Sequence, residues 1–154
     1  MQAIFLALLL AVNSVAVEKE KCDCKTVAKT ETTRIGGNEH IVIKEEKIYR
    51  TLRGAVDTYN NPQLTVLVEV FDNPDHLLLG YPENLTKRKR QKRIAACETG
   101  ANGKFCFRNI PPGKYEMRFS IGPNWNVTSV YIVMDPTYAG SSSEDIYVGM
   151  QLGT

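Results

Sequence analysis

Apolar and polar residues alternate along most of the chain from about residue 40 onwards. The clearest example is residues 114–121, where Tyr115, Met117, Phe119 and Ile121 fall on one side. A period of two over eight residues predicts an antiparallel strand with one face in the core and the other in solvent. The side chains predicted to face solvent are those of Lys114, Glu116, Arg118 and Ser120.

Other segments carry the same strand signature and are separated by turns rich in Gly, Pro and Asn. They are residues 41–43, 48–56, 64–71, 94–97, 104–108, 127–134 and 146–152. The segment 64–71 is apolar on both sides, which predicts a strand in the centre of its sheet. About seven strands and no clear amphipathic helix predict an all-β, antiparallel sandwich.

Residues 97–121 are predicted to form a β-hairpin followed by a turn. Asn102-Gly103 readily adopts the positive φ of a tight hairpin turn, and Cys97 and Cys106 flank that turn. A cross-strand disulfide between these two cysteines is therefore predicted, with two outward-facing thiols as the alternative. Pro112-Gly113 fits a type II turn with positive φ at Gly113.

The N-terminal segment has the pattern of an export signal. Residues 3–12 are almost wholly apolar, and Ser14 and Ala16 are small residues at −3 and −1 of a cut before Val17. The alternative is a buried N-terminal strand or helix. The predicted organisation is a signal peptide at 1–16, a polar lead-in at 17–40 that contributes at most one early strand, and a β-sandwich domain at 41–154. The mature protein is expected to be secreted or periplasmic, without a transmembrane segment.

An exported chain with four cysteines is expected to form disulfides. Cys22 and Cys24 are separated by one residue, so a bond between them would be strained. They stay reduced, bond another chain or reach back to the domain, and the sequence leaves these alternatives open. Because there is no Cys-x-x-Cys and no histidine near a cysteine, we expect no zinc site.

The turn-rich stretch 99–115 resembles the core signature of carboxypeptidase regulatory-like domains. The matching residues are Thr99, Gly100, Asn102, Gly103, Phe105, Phe107, Ile110, Pro111, Pro112, Gly113 and Tyr115. Gly54 to Asp57, followed by Pro62 and the strand 64–70, resembles the opening of the same domain, so the likeness covers residues 48–152. It implies the prealbumin-like (transthyretin-like) fold, a seven-stranded Greek-key sandwich shared with carbohydrate-binding modules. The resemblance implies packing and no chemistry, because the matching residues are turn and core residues.

The chain departs from that family in ways that bear on function. The connection 72–93 is longer and more basic than the family's usual one, and the Cys97/Cys106 pair is an addition. The His-x-x-Glu set of zinc carboxypeptidases is absent, since His40 and His76 are both followed by aliphatic residues. The sequence contains no Gly-x-Ser-x-Gly nucleophile turn either. We therefore expect a protein that is not an enzyme and has no cofactor.

Residues 87–93 hold six cations in seven positions, although the whole chain carries a net charge of only +2. These cations are candidates for binding an anionic surface or a partner protein. No aromatic residue lies among them to stack on bases, so nucleic acid is not expected as a partner. The alternative is a solvated loop that keeps the protein soluble. The candidate residues are Lys87, Arg88, Lys89, Arg90, Lys92 and Arg93.

Trp125 lies in a loop before a strand and is the only tryptophan of the chain. Together with Tyr131 or Tyr138 it would form a flat apolar platform for a sugar ring. The alternative is a tryptophan that closes one end of the core. Asn84 and Asn126 match the N-glycosylation pattern, which matters only in a host that has that machinery.

The sequence thus predicts an exported, non-catalytic β-sandwich module that binds a carbohydrate or a cell-envelope component. The alternative is an extracytoplasmic accessory domain that contacts another protein through the basic residues 87–93.

Overall fold

The computed structural model describes residues 25–26, 39–42, 47–59, 61, 63–75, 85–88, 90–100, 102–122, 126–140 and 145–150. They form one short helix, α1 (Leu85–Arg88), and ten strands. The strands are β1 (Lys25–Thr26), β2 (Glu39–Val42), β3 (Ile48–Tyr49), β4 (Leu52–Asp57), β5 (Leu67–Asp72), β6 (Arg93–Glu98), β7 (Lys104–Phe107), β8 (Gly113–Ser120), β9 (Val127–Met134) and β10 (Ile146–Gly149). The all-β fold class predicted from the alternation is confirmed. The predicted export signal lies outside the described residues.

Two sheets enclose the hydrophobic core. The large sheet has the order β1-β6-β5-β8-β9-β2, with β3 also paired to β9, and the small sheet has the order β10-β4-β7. Inward-facing residues of β3 to β10 point between the sheets and form one buried cluster. Phe105 of the small sheet meets Phe119 of the large sheet edge to face, with ring centroids 5.5 Å apart. The arrangement is sandwich-like, as predicted.

The strand number and direction differ from the seven-stranded, purely antiparallel prediction. β2 and β3 run parallel to β9, and β10 runs parallel to β4. These pairings join segments that are far apart in the sequence, and alternation within a strand carries no information on the direction of its neighbour. The central position predicted for the segment 64–71 is confirmed, because β5 pairs with β6 on one side and β8 on the other.

The predicted hairpin at 97–121 is wrong. β6 pairs with β1 and β5 in the large sheet, whereas β7 pairs with β4 in the small sheet. The connection between them carries the chain across the sandwich from one sheet to the other. Its Asn-Gly turn forms nevertheless, with Gly103 at φ 70° and its carbonyl accepting a hydrogen bond from Val56 N at 3.0 Å. Positive φ next occurs at Asn109 (φ 59°) rather than at the predicted Gly113, which begins β8.

The predicted Cys97–Cys106 disulfide is wrong for the same reason. Cys97 is a thiol, 2% exposed, and belongs to the core cluster on the inner side of the large sheet. Cys106 follows the inward-facing Phe105 in β7, so it projects from the outer side of the small sheet. Side chains on different sheets, one inside the sandwich and one outside it, cannot meet within disulfide distance.

Polar side chains of β8 that were predicted to face solvent are instead buried. Glu116 is 0% exposed and Arg118 is 3% exposed. They lie on the outer face of the large sheet beside Glu69 of β5, which is also 0% exposed. Both faces of the large sheet are therefore buried at its centre, and the second buried face is ionic.

Candidate functional site

The exposed aromatic side chains of the described residues concentrate on the outer face of the small sheet. Tyr147 is 64% exposed and Tyr59 is 57% exposed. Tyr147 projects outward from β10 because its neighbours Ile146 and Val148 point into the core. We call this surface the tyrosine face and define it by Tyr59, Tyr147, Gly149 and the ion pair Arg53–Asp145.

Register explains how these residues come together. In the parallel pair β4/β10, Ala55 lies opposite Tyr147, and Asp57 lies opposite Gly149. The small residues Ala55 and Gly149 form a shallow surface between the larger side chains, which we call the floor of the tyrosine face. The Tyr59 ring lies against Gly149, since a Cβ placed on Gly149 would meet the Tyr59 hydroxyl at 3.1 Å and its Cε2 at 3.2 Å. Alternate residues of one strand are about 7 Å apart, so the two phenol rings border the same small patch.

The backbone at Tyr59 is held in an unusual conformation. Its φ is 34°, which places this bulky residue in the left-handed region. Asp57 supports the conformation, because its Oδ1 accepts a hydrogen bond from Tyr59 N at 3.0 Å and its carbonyl accepts one from Met150 N at 2.8 Å. Strained residues of this kind cluster at ligand sites, where the strain fixes the side chain before the ligand arrives.

A charged group borders the other end of the tyrosine face. Arg53 Nε lies 2.6 Å from Asp145 Oδ1, and both side chains are partly exposed, at 49% and 34%. A guanidinium beside a carboxylate presents donors and acceptors in one place, which suits a ligand with adjacent hydroxyls. The tyrosine face therefore combines two rings, a small-residue floor and a polar edge.

The described cations of the basic segment 87–93 do not all face solvent. Lys87, Arg90 and Lys92 are exposed. Arg93 turns inward instead, and its Nη1 lies 2.7 Å from Glu69 Oε1 with only 10% of its side chain exposed. The side chains of Arg88 and Lys89 lie outside the described set. Three described cations of the segment are thus available to an anionic partner.

Polar contacts fix the end of the basic segment to the large sheet, and they are exposed at Lys92 and half-buried at Gln91. Lys92 N donates to Asp72 Oδ1 at 2.6 Å, and Asp72 N donates to the Lys92 carbonyl at 3.0 Å. Gln91 Nε2 donates to Glu116 Oε2 and to the Asp72 carbonyl, both at 2.9 Å. From Arg90 onwards the segment is therefore an ordered connection to the sheet. It is not the fully solvated loop that the sequence analysis gave as an alternative.

The buried ionic cluster consists of Glu69, Arg93, Glu116, Arg118 and the two polar partners Gln91 and Ser129. Arg118 grips Glu116 with Nε and Nη2, each 2.9 Å from a carboxylate oxygen, and also donates to Gln91 Oε1. Ser129 Oγ donates to Glu116 Oε1 at 2.9 Å, and Arg118 lies 4.0 Å over the Phe71 ring. Two acids and two arginines balance in charge, and their side chains are at most 10% exposed, which leaves a ligand little access. This cluster is a structural element.

The sugar-binding platform predicted for Trp125 with Tyr131 or Tyr138 is not supported in its Tyr131 form. Tyr131 is 2% exposed within β9, which is too buried for an exposed stacking ring. Trp125 lies outside the described residues, so its role remains a prediction. Tyr138 is 37% exposed, and its carbonyl accepts a hydrogen bond from Arg50 Nε at 2.8 Å. Tyr147 was not predicted as a site residue, although the alternation of the strand 146–152 indicates that it faces outward.

Among the described residues, two tyrosine hydroxyls and one carboxylate have shifted pKa values, and none of the three belongs to the tyrosine face. Burial raises the pKa of Tyr49, and burial together with the charge of Asp72 raises the pKa of Tyr115. The hydrogen bond from the Thr137 side chain, followed by one from its backbone, lowers the pKa of Asp135. These shifts report on local packing and turns.

Comparisons with known proteins assign no family to this chain. No family model, no curated protein and no solved structure matches the chain. Within the part of the chain that the structure describes, no three His, Cys, Asp or Glu side chains are grouped as metal ligands. None of the helices in the described ranges is long and apolar enough to cross a membrane.

Proposed function

We propose that this protein is an exported, non-catalytic binding module that recognises a carbohydrate, either free or as part of a cell envelope, through the tyrosine face. The observation that carries the proposal is the exposure of Tyr59 and Tyr147 around one small-residue floor. Exposed phenol rings present an apolar surface with a polar rim, which matches the apolar face and hydroxyl rim of a pyranose. The fold implied by the carboxypeptidase regulatory-like resemblance is shared with carbohydrate-binding modules, which is compatible with this proposal.

The polar edge of the site supplies the direction for a bound sugar. The Arg53–Asp145 pair offers charge-assisted hydrogen bonds to adjacent hydroxyls once a ring is stacked on Tyr147. Because the site is a shallow patch on a sheet, we expect affinities in the range of about 10 μM to 1 mM for short oligosaccharides. A polymer that repeats the same sugar would bind more tightly through multivalency.

A binding assay on insoluble polysaccharides tests the proposal. The chain starting at Val17 would be incubated with cellulose, chitin, starch and cell-wall material, and the bound fraction measured in 0.15 M and 1 M salt. Stacking predicts retention in both salts, loss of binding in Tyr147→Ala, and normal binding in the matched control Tyr138→Ala. Equal loss in both variants, or no binding to any of the materials, would overturn the proposal.

A second candidate function is favoured by the three exposed cations Lys87, Arg90 and Lys92. They are spread over six residues at the connection into β6, where an acidic protein or an anionic polymer would contact all three. Under this alternative, the protein is an accessory domain that docks through the basic segment. Arg93 is excluded from the contact because it is paired with Glu69.

Charge neutralisation separates the two candidates. Replacing Lys87, Arg90 and Lys92 by Gln should abolish salt-sensitive binding to an anionic polymer such as heparin, while the same change at Lys47, Lys104 and Lys114 provides a control of equal charge at other exposed sites. If both triple variants lose binding equally, net charge and not the basic segment is responsible.

A further inference from the structure

We infer that the tyrosine face, which rests on the proposed function as a carbohydrate site, takes a neutral, extended polysaccharide of the β-1,4-linked type. The sugar chain lies along β10 with consecutive sugars at three contact points. These points are the Arg53–Asp145 ion pair, the Tyr147 ring and the Tyr59 ring. Their arrangement in a row determines the class of the ligand and its direction on the sheet.

The three contact points follow one another along the outer side of β10. Tyr147 and Gly149 face outward in this strand, and Asp145, next to its start, continues the alternation. The Tyr59 ring lies against Gly149, and Arg53 Nε lies 2.6 Å from Asp145 Oδ1. The row from Asp145 to Gly149 therefore spans about 13 Å, with a contact point about every 7 Å. One pyranose cannot reach both ends of this row, so a chain of sugars is needed to use all three points.

The straight row selects the shape of the sugar chain. β10 is paired with β4 along its whole length, so the platform runs in one direction from end to end. A β-1,4-linked chain of equatorially substituted sugars is flat and extended, and its apolar ring faces can stack on successive phenol rings. An α-1,4-linked chain curves into a helix and would present one ring at a time to such a row. The extended type is therefore expected to gain affinity with length.

β4 provides the polar side of the same site. Arg53 and Asp57 face outward from β4 and run beside the row, with Asp57 opposite Gly149. A flat sugar chain carries its hydroxyl groups along its two long edges. When its rings stack along β10, one of these edges faces β4, where a guanidinium donates hydrogen bonds and carboxylates accept them. Stacking along one strand and hydrogen bonding along its neighbour thus hold the chain in one orientation.

The charges around the row favour a neutral chain. On β4, β7 and β10 together with Asp145, two cations, Arg53 and Lys104, balance two anions, Asp57 and Asp145. An acidic polysaccharide would therefore gain no net attraction, and it would place its own carboxylates near two others. A neutral chain avoids this repulsion and still receives the hydrogen bonds of the β4 side.

NMR titration with oligosaccharides of increasing length tests the inference. The chain starting at Val17 would be titrated with cello-oligosaccharides and with N-acetylchito-oligosaccharides, which distinguish glucose from N-acetylglucosamine as the unit. In one of these series, the Kd should fall by about 10-fold or more from the monosaccharide to the trisaccharide, and by less than about 2-fold from there to the pentasaccharide. Malto-oligosaccharides, as curved controls, and C6-oxidised cello-oligosaccharides, as acidic controls, should show no such gain.

Removing one ring tests whether each ring holds its own sugar. Tyr59→Asn deletes the phenol and introduces a residue that tolerates the φ of 34° at this position. For this variant, the Kd of the trisaccharide should rise about 10-fold, to the value that the disaccharide has with the wild type. The matched control Tyr138→Ala should keep the wild-type Kd for every length. If Tyr59→Asn does not fold, as read from circular dichroism, the length series with the wild type decides alone.

The outcomes separate this inference from the proposed function. Binding that depends on Tyr147 but does not strengthen from the monosaccharide to the trisaccharide would overturn the extended chain and leave the carbohydrate site standing. The same holds if the curved or the acidic controls gain as much with length as the neutral β-1,4-linked series. Binding that Tyr147→Ala leaves unchanged, or no binding in any series, would overturn both.

Discussion

Removing one arginine from the buried ionic cluster should destabilise the fold more than any exposed charge change. Arg118 and Glu116 have side chains 4% and 0% exposed, so Arg118→Met removes the guanidinium that pairs with a buried carboxylate and leaves neutral donors such as Ser129 and Gln91 beside it. An uncompensated buried charge costs about 3–5 kcal/mol. Met keeps most of the side-chain volume and a favourable contact with the Phe71 ring, so the loss reports on charge and hydrogen bonding.

The exposed pair Arg53–Asp145 supplies the comparison within the same protein. Its N–O distance of 2.6 Å is shorter than the 2.9 Å of the buried pair, but its side chains are 49% and 34% exposed. Solvent screening limits such a pair to about 0–1 kcal/mol, so Arg53→Met should cost that much or less. Burial, and not the distance between the charges, is therefore expected to decide the loss.

Urea unfolding followed by circular dichroism measures these differences as shifts in midpoint at constant m-value. In the double variant Arg118→Met/Glu116→Met, both charges are gone, and at least half of the lost stability should return. The reasoning is refuted if Arg118→Met costs no more than Arg53→Met, or if the double variant is no more stable than Arg118→Met alone.

Three further predictions concern the strand pairing and the shifted pKa values. Gly54→Ala places a Cβ 1.9 Å from the Ile146 carbonyl oxygen, so it should prevent the pairing of β4 with β10 and lower the free energy of unfolding by more than about 3 kcal/mol. In the control Gly122→Ala the new Cβ meets nothing within 4 Å, and stability should change by less than about 1 kcal/mol. Equal urea unfolding midpoints for the two variants would contradict this prediction. Burial raises the pKa of Tyr49, so the contribution of its neutral hydroxyl to stability is complete below about pH 10 and is lost as the pH rises through the pKa of the folded state. Tyr49→Phe has no such group, so between pH 10 and 12 it should lose less stability than the wild type, as measured by urea midpoints. The hydrogen bond from the Thr137 hydroxyl is the main cause of the lowered pKa of Asp135, so the contribution of this carboxylate to stability is present above about pH 4 and is lost as the pH falls through the pKa of the folded state. NMR titration should therefore find a higher Asp135 pKa in Thr137→Ala than in the wild type. An unchanged pKa would exclude the hydroxyl as the cause.

The strands could be predicted from the sequence because their signals are local. Alternation places Tyr115, Met117 and Phe119 inside, and apolar residues on both sides of 64–71 mark the central strand. Partner choice depends on contacts distant in sequence, which a local pattern does not encode. The Asn-Gly turn at 102–103 is compatible with a hairpin and with a crossing between sheets, and the structure contains the crossing.

The site was harder to predict than the fold. The sequence directed attention to Trp125, Tyr131 and the cations 87–93, because aromatic rings and clustered charge are visible as composition. Exposure decides what such residues do, and it depends on which faces of the sheets are covered. Tyr131 is buried and Arg93 is paired with Glu69, whereas Tyr147 is exposed in a strand whose alternation had only been used to place the core. Glu116 and Arg118 alternate like solvent-facing residues but form a buried ion pair.

The central claim, that the protein binds carbohydrate through Tyr59 and Tyr147, is tested most directly by calorimetric titration with a soluble oligosaccharide of whichever polymer retains the protein. Losing one stacked ring removes about 1.5–3 kcal/mol, so Tyr147→Ala should raise the Kd by roughly 10- to 100-fold, and Tyr138→Ala should change it by less than about 2-fold. If Tyr147→Ala binds with the wild-type Kd, the tyrosine face is not the site.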